Sequence, residues 1–169
     1  MSHSRNVAFK LAKGDIVLNV DADNFTRFGF AYYVNRLANV IPDKGVFIKS
    51  NQVMHGRIGF YKKDFIELLG GYDEGLVGYG FDDRDLFFRA IAQEFTIGSY
   101  GKFYRKTKID LPKNTNYDPD TKAYDTKYTE WVNKIVSLGN LMLYKFKANE
   151  GRHWGKATVI KNFKEEISI

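Results

Sequence analysis

Apolar residues recur along this chain at two spacings, one typical of helices and the other typical of strands. Spacings of three and four residues predict helices at residues 4–13, 30–40, 63–69, 82–93 and 129–138. Short apolar or alternating runs predict strands at residues 15–20, 46–49, 53–61, 95–99, 103–109 and 154–162. Because the two kinds of element alternate, the pattern predicts an α/β domain in which a mixed sheet is flanked by helices.

The composition is that of a folded protein with an excess of positive charge. Of the 169 residues, 44% are hydrophobic and 16% are aromatic, which is enough for one core. The absence of cysteine excludes disulfides and thiolate metal sites, and it fits a cytoplasmic protein. The net charge of +6 favours anionic ligands, but the basic residues are scattered and do not indicate a nucleic-acid partner. No apolar stretch is long enough to span a bilayer, so we expect no transmembrane segment, and peripheral attachment to a membrane stays open.

Two carboxylates follow the apolar strand predicted at residues 15–20. Asp21 and Asp23 project to the same side of an extended segment, because side chains alternate there with a period of two. At the carboxyl edge of a sheet, such a pair can hold a hard cation such as Mg²⁺ or Mn²⁺, which in turn holds a diphosphate. The alternative is an ordinary strand-to-turn transition, in which acidic side chains bond to the nearby backbone.

A second acidic cluster opens the helix predicted at residues 82–93. Asp82, Asp83 and Asp85 follow a glycine-rich segment, residues 75–80, which is either mobile or closely approached by another part of the chain. In one interpretation these acids only cap the helix and offset its dipole. In the other, the loop closes over a substrate and one carboxylate removes a proton from an acceptor hydroxyl.

Together, the two clusters carry a resemblance to a known family. The central part of inverting GT-A glycosyltransferases of the family 2 type is similar to Ser4-Arg5-Asn6-Val7-Ala8-Phe9, Gly14-Asp15-Ile16-Val17 and Asp21-Ala22-Asp23. The acceptor and catalytic segment of their galactosyltransferase-like branch is similar to Gly70-Gly71-Tyr72-Asp73-Glu74 and Gly78-Tyr79-Gly80-Phe81-Asp82-Asp83-Arg84-Asp85-Leu86-Phe87-Phe88-Arg89. The motifs occur in the family's order and separation over roughly the first 110 residues.

The resemblance implies a partial GT-A fold, the fold of nucleotide-diphospho-sugar transferases. Its implied activity is transfer of a sugar from a nucleotide diphosphate donor to a hydroxyl of a carbohydrate acceptor, with inversion and with Mn²⁺ or Mg²⁺, as in polysaccharide biosynthesis. The implied site residues are Arg5, Asp21 and Asp23 for the donor, with the metal on Asp21 and Asp23; Tyr79, Gly80 and Asp82 for the acceptor and its lid; and Asp83 and Asp82 for catalysis.

The chain also departs from the family pattern at three places. Phe81 stands where the galactosyltransferase motif usually has glycine, and Arg84 stands where it often has an acid. Both lie beside the implied acceptor site, so the identity of the acceptor is not carried over. The usual third metal ligand is a histidine downstream of the acidic motif, and His153 is the residue available at that place.

The family's N-terminal, nucleoside-binding half has no counterpart in this sequence. We therefore expect residues 1–110 to be the C-terminal portion of a GT-A catalytic domain, and residues 111–169 to be an extension packed on it. The strand at residues 15–20 is apolar enough to lie centrally in a sheet, so the chain is expected to expose sheet edges, to self-associate and to have little activity alone. The missing half keeps open a second function, a non-catalytic module that binds carbohydrate or protein.

Overall fold

The computed structural model confirms a mixed α/β arrangement. It describes residues 1–21, 24–26, 28–50, 53–101, 104–106, 126–161 and 164–169. The helices are α1 (Ser2–Leu11), α2 (Phe30–Val40), α3 (Lys62–Glu67), α4 (Asp82–Ala92) and α5 (Thr126–Met142). The strands are β1 (Ile16–Leu18), β2 (Asn24–Thr26), β3 (Gly45–Ser50), β4 (Val53–Tyr61), β5 (Thr96–Ser99), β6 (Tyr104–Lys106), β7 (Thr158–Lys161) and β8 (Glu165–Ser168).

Among the described residues, four strands form the main sheet, in the order β1-β4-β3-β5. Strand β4 runs antiparallel to both β1 and β3, whereas β5 runs parallel to β3, so the sheet is mixed as predicted. In the described part of the chain, β1 lies at the edge of this sheet and pairs with β4, with Ile16 opposite Tyr61. The expected central position of this strand is therefore not found among the described residues. Two further antiparallel pairs form, β2 with β6 and β7 with β8.

Helices cover the main sheet on both faces. Val46 and Ile48 of β3 enter the core to which α1, α3 and α4 also contribute. Phe47, between them, enters a second core that α2 covers. All three side chains are fully buried. The alternation follows from the two-residue period of a strand, and it explains why this strand has no polar residue over these positions.

The structure differs from the sequence prediction mostly at short or irregular segments. The pattern does not predict β2 or β8, because three or four residues are too few to show a period. The strand predicted at residues 154–162 begins only at Thr158, because the residues before it pack on the body of the protein. There the ring of Trp154 meets Phe65 of α3 edge-on, with centroids 6.5 Å apart.

Candidate active site

Helix α4 begins at the second acidic motif. Phe81 immediately before it has a left-handed backbone conformation, with φ of 68°. Such a conformation costs a residue other than glycine about 1 to 3 kcal/mol, which is a physical reason for glycine at this place in the related motif. Asp82, Asp83 and Asp85 all lie in the first turn, and they are only 8%, 8% and 0% exposed. Carboxylates so enclosed require partners.

The cation that faces Asp82 and Asp83 is Arg5 of α1. Its Nη1 lies 2.5 Å from Oδ2 of Asp82 and 3.1 Å from Oδ1 of Asp83. All three side chains are largely withdrawn from solvent, so the contact is worth more than an exposed ion pair. The structure thus brings together two motifs that lie more than seventy residues apart, and it places Arg5 against the acidic pair of the implied acceptor site.

Electrostatics keep Arg5 protonated. Burial alone would lower the pKa of its guanidinium. The interactions with Tyr72, Asp83, Asp82 and Asp21 outweigh burial, and the pKa lies above its ordinary value. Asp21 is therefore close enough for its charge to act on Arg5. Of the residues that the sequence implies for the donor, Arg5 and Asp21 belong to the same electrostatic cluster as Asp82 and Asp83.

Tyr72 completes the surroundings of Asp83. Its hydroxyl donates a hydrogen bond to Oδ1 of Asp83 across 3.2 Å, and the guanidinium carbon of Arg5 lies 5.2 Å from the centre of its ring. Tyr72 is fully buried, and burial, reinforced by the charge of Asp83, raises the pKa of the hydroxyl well above its usual value. The hydroxyl therefore remains a donor at neutral pH and fixes the orientation of the Asp83 carboxylate.

Asp85, in the same turn, has a different partner. It accepts a hydrogen bond of 2.8 Å from Nε of Arg89, one turn further along α4, and both side chains are almost completely buried. Arg89 in turn donates to the carbonyl oxygens of Leu69 and Gly71, at 2.6 and 2.9 Å. The motif therefore contains one pair of acids facing Arg5 and a third acid that ties the helix to the turn at residues 70–74.

Two asparagines hold the turn at residues 70–74 from opposite ends of the chain. Asn6 of α1 accepts from the backbone N–H of Tyr72 at 2.8 Å and donates to its carbonyl at 2.9 Å. Asn149 donates to the carbonyls of Gly70 and Tyr72 and accepts from the N–H of Glu74. Since Tyr72 orients Asp83, both asparagines help to position the acidic pair.

The glycine-rich loop is fastened to α5. Asn133 exchanges hydrogen bonds with the backbone of Val77 and donates to the carbonyl of Gly80, while the hydroxyl of Thr129 bonds both the N–H and the carbonyl of Tyr79. A Cβ on Gly78 would lie 2.8 Å from Cγ2 of Thr129. Close approach, one of the two expectations for these glycines, is therefore confirmed. Tyr79 itself is about half exposed beside the acidic pair.

The implied metal ligands are not assembled in the described residues. Asp23 lies outside the described residues, so the structure places only Asp21 of the implied pair. His153 is exposed, in the segment between α5 and β7. Among the residues that the structure describes, no three histidine, cysteine or acidic side chains are grouped so that they could hold a metal ion. The metal site therefore remains a prediction from the sequence.

Comparison with known proteins bears on the middle of the chain. Residues 35–112 match the model of a protein family described as the N-terminal domain of galactosyltransferase. The match supports a galactosyltransferase-like glycosyltransferase domain. It extends from α2 through the turn at residues 70–74, the glycine-rich loop and α4, and it does not favour the alternative of a non-catalytic module. No curated protein and no solved structure matches the chain.

Sequence reasoning named Asp82, Asp83, Tyr79 and Gly80, and the structure places them together at the start of α4 and in the loop before it. The sequence did not predict the contacts that hold these residues, which come from the side chains of Tyr72, Asn133 and Thr129. Tyr72 stands in a motif that the sequence singled out, so its position was visible and its contact was not. Thr129 and Asn133 had no signal, because polar residues on one face of a predicted helix ordinarily indicate solvent.

Proposed function

We propose that this chain carries the acceptor side of an inverting glycosyltransferase that moves a sugar from a nucleotide diphosphate donor to a hydroxyl of a carbohydrate acceptor. The family match supports the transferase class, and such a domain implies a nucleotide-sugar donor and an acceptor. The observation that carries the proposal is the contact of Arg5 with Asp82 and Asp83, which joins the motif at residues 4–9 to the second acidic cluster.

In the proposed reaction, Asp83 is the general base. The hydroxyl oxygen of the acceptor attacks the anomeric carbon while its proton passes to the carboxylate of Asp83. The bond from the anomeric carbon to the diphosphate oxygen breaks on the opposite face, and its electron pair leaves with the diphosphate. One displacement therefore inverts the configuration of the sugar. Asp82 accepts a hydrogen bond from the acceptor, and Tyr79 and Gly80 cover it.

The fixed position of Asp83 supports its role as base. A base works only within hydrogen-bond reach of the proton that it removes, and small displacements of it are costly. Tyr72 and Arg5 approach the same oxygen, Oδ1, at 3.2 and 3.1 Å, so the carboxylate is held from two directions. Asp85 is unsuited to this role because it is fully buried against Arg89.

The donor side of the proposal consists of Arg5, Asp21 and Asp23. A Mn²⁺ or Mg²⁺ ion on the two aspartates, with His153 as a further ligand, would neutralise charge on the leaving diphosphate. No proton transfer described above depends on it. We expect weak Mn²⁺ binding by the chain alone and tighter binding with a nucleotide diphosphate, measured by titration calorimetry. Asp23→Ala should abolish the gain in Mn²⁺ binding that the nucleotide gives, whereas Asp15→Ala, at an exposed acid before β1, should keep it. Equal binding by the native chain and both variants would contradict the metal site.

The transfer itself is tested with a panel of labelled nucleotide sugars and simple sugar acceptors, with and without Mn²⁺. Because the sequence predicts low turnover by this chain alone, the label gives the required sensitivity. We expect transfer with at least one donor, and its loss in Asp83→Asn but not in Asp15→Asn. If no donor is consumed and no sugar acceptor binds, the proposal is wrong.

Cytoplasmic location and self-association through the edge of β1 stay predictions, and light scattering tests the self-association.

A further inference from the structure

Helix α5 has its polar face turned inward and its apolar face turned outward. The buried residues are Thr129, Asn133 and Ser137, at intervals of four. On the opposite side, exposed apolar residues recur at alternating intervals of three and four, and they are Tyr128, Trp131, Ile135, Leu138 and Met142. Trp131 is 60% exposed and Met142 is 80% exposed. This arrangement is the reverse of an ordinary helix on the surface of a soluble protein.

The structure explains why the inward face of α5 is polar. Within the described residues, it does not explain why the outward face is apolar. Thr129 and Asn133 bind the backbone of the glycine-rich loop, so polar residues are needed there. The outward stripe extends over five side chains along one helix, and it continues past the helix end in Leu143 and Tyr144, at 65% and 82% exposed. A continuous apolar surface of this kind marks an interaction site.

The segment that contains α5 has an excess of positive charge, which complements an anionic partner. Between residues 126 and 150 the chain has four lysines, Lys127, Lys134, Lys145 and Lys147, against two glutamates, Glu130 and Glu150. All four lysines are exposed. The stripe also carries aromatic residues with a polar end, Tyr128 and Trp131 near its start and Tyr144 beyond its end. Such side chains favour the boundary between water and hydrocarbon.

We propose that α5 docks this protein onto the surface of an anionic lipid bilayer. The helix lies in the plane of the membrane, with its apolar stripe among the upper acyl chains and the lysines at the level of the lipid phosphates. In the described part of the chain, no helix is long and apolar enough to cross a membrane. The proposed docking is peripheral, and it leaves the fastened side of α5, with the glycine-rich loop, facing the protein.

A second copy of the chain packed antiparallel on α5 fits this surface less well. Lys127 and Lys134 lie on the same flank of the stripe, because seven residues make almost two helical turns. In an antiparallel pair of α5 helices about a twofold axis, each flank meets its own counterpart. The lysines of one copy would then face those of the other, and like charges facing each other are destabilising. An anionic membrane has the opposite charge and needs no such juxtaposition.

Co-sedimentation of the full chain with lipid vesicles tests the proposal. One set of vesicles contains phosphatidylcholine alone, and the other contains phosphatidylcholine mixed with phosphatidylglycerol. We expect binding to the anionic vesicles, weakened about fivefold for each lysine replaced in Lys145→Gln and Lys147→Gln, since a lysine near an anionic surface contributes about 1 kcal/mol. Raising the salt concentration should also weaken binding to the vesicles that contain phosphatidylglycerol.

The apolar stripe is tested with matched variants. Trp131→Ser combined with Ile135→Ser and Leu138→Ser should weaken vesicle binding by at least about 100-fold, because three apolar side chains that would enter the acyl chains are replaced by polar ones. Val40→Ser combined with Ile160→Ser is the control, since these residues are 80% and 71% exposed on other elements. The single variant Trp131→Ser should also abolish quenching of tryptophan fluorescence by brominated acyl chains, because Trp154 packs against Phe65.

The outcomes separate the membrane from other partners. Binding to anionic vesicles that the stripe variant loses and the control variant keeps supports the proposal. Circular dichroism on each variant shows that a loss of binding does not come from unfolding. Absence of binding to anionic vesicles by the native chain overturns the proposal. So does a native dimer that the stripe variant converts to a monomer in the absence of lipid, because the stripe would then be covered by a second copy.

Discussion

The acids of a single motif divide into two environments that differ in what they can do. Asp82 and Asp83 are each 8% exposed, face Arg5 from another helix and lie beside a half-exposed Tyr79. Asp85, two residues further on, is fully buried, pairs with Arg89 and through it reaches two backbone carbonyls. Asp82 and Asp83 are the acids to which we assign a substrate, whereas Asp85 holds together separate pieces of backbone through Arg89. The difference shows that chemically alike residues of one motif can lie in different environments.

The largest effect is expected on stability, from the buried pair of Asp85 and Arg89. Arg89→Ala leaves Asp85 buried without its partner and frees the carbonyls of Leu69 and Gly71, so it should lower the free energy of unfolding by about 3 to 5 kcal/mol. Urea denaturation followed by circular dichroism measures the loss. Asp83→Asn in the same assay should change stability far less. Equal losses in the two variants would show that the two environments are not distinct.

The next effect concerns turnover in the proposed reaction. Asp83→Asn removes the proposed base and should slow transfer by about 10²- to 10⁴-fold while the protein stays folded. Asp82→Asn should act mainly on the acceptor, through KM. The kinetics of both variants, measured with the best donor of the panel, decide between these roles. If Asp82→Asn loses the turnover and Asp83→Asn keeps it, the two roles are reversed.

A smaller effect is expected from the residue that orients Asp83. Tyr72→Phe keeps the buried ring and removes the donor to Oδ1, so it should cost about 0.5 to 1.5 kcal/mol, which corresponds to a few-fold to tenfold loss of kcat. The variant also has a pH signature. The folded pKa of Tyr72 is raised, so its contribution to stability is complete below its ordinary pKa of 10.0 and is lost as the pH rises above that value. The loss of stability with rising pH should therefore be less steep in Tyr72→Phe. An unchanged slope would show that the hydroxyl of Tyr72 is not buried.

The smallest effect is expected at acid pH, in the turn that supports the acidic pair. Burial alone would raise the pKa of Glu74, but hydrogen bonds from Asn6, His3 and the N–H of Gly155 outweigh it, and the pKa lies below its ordinary value of 4.5. A depressed pKa stabilises the fold above 4.5, and that stability is lost as the pH falls through the folded value. Glu74→Gln should lack this step in acid unfolding monitored by fluorescence, whereas the exposed Glu165→Gln should retain it.

The sequence alone determined the longer regular elements and indicated the candidate chemistry. The bounds predicted for α2 and β4 agree with the structure, because their side-chain patterns are long and regular enough to show a period. The position of Asp82 and Asp83 at the start of a helix also followed from local signals, a glycine-rich loop followed by an apolar face. Such signals are carried by neighbours in the chain, so they can be interpreted without knowing the tertiary structure.

Only the tertiary structure decided which of these residues act together. Arg5 meets Asp83 across 78 positions, and no local pattern encodes that contact. The orientation of α5 is the clearest case, since its apolar stripe would ordinarily be assigned to the core. Loop hydrogen bonds from Thr129 and Asn133 turn its polar face inward instead. The physical reason is the same in both cases: a side chain's partner is chosen by packing between distant segments, and the alternatives differ by only a few hydrogen bonds that the sequence does not assign.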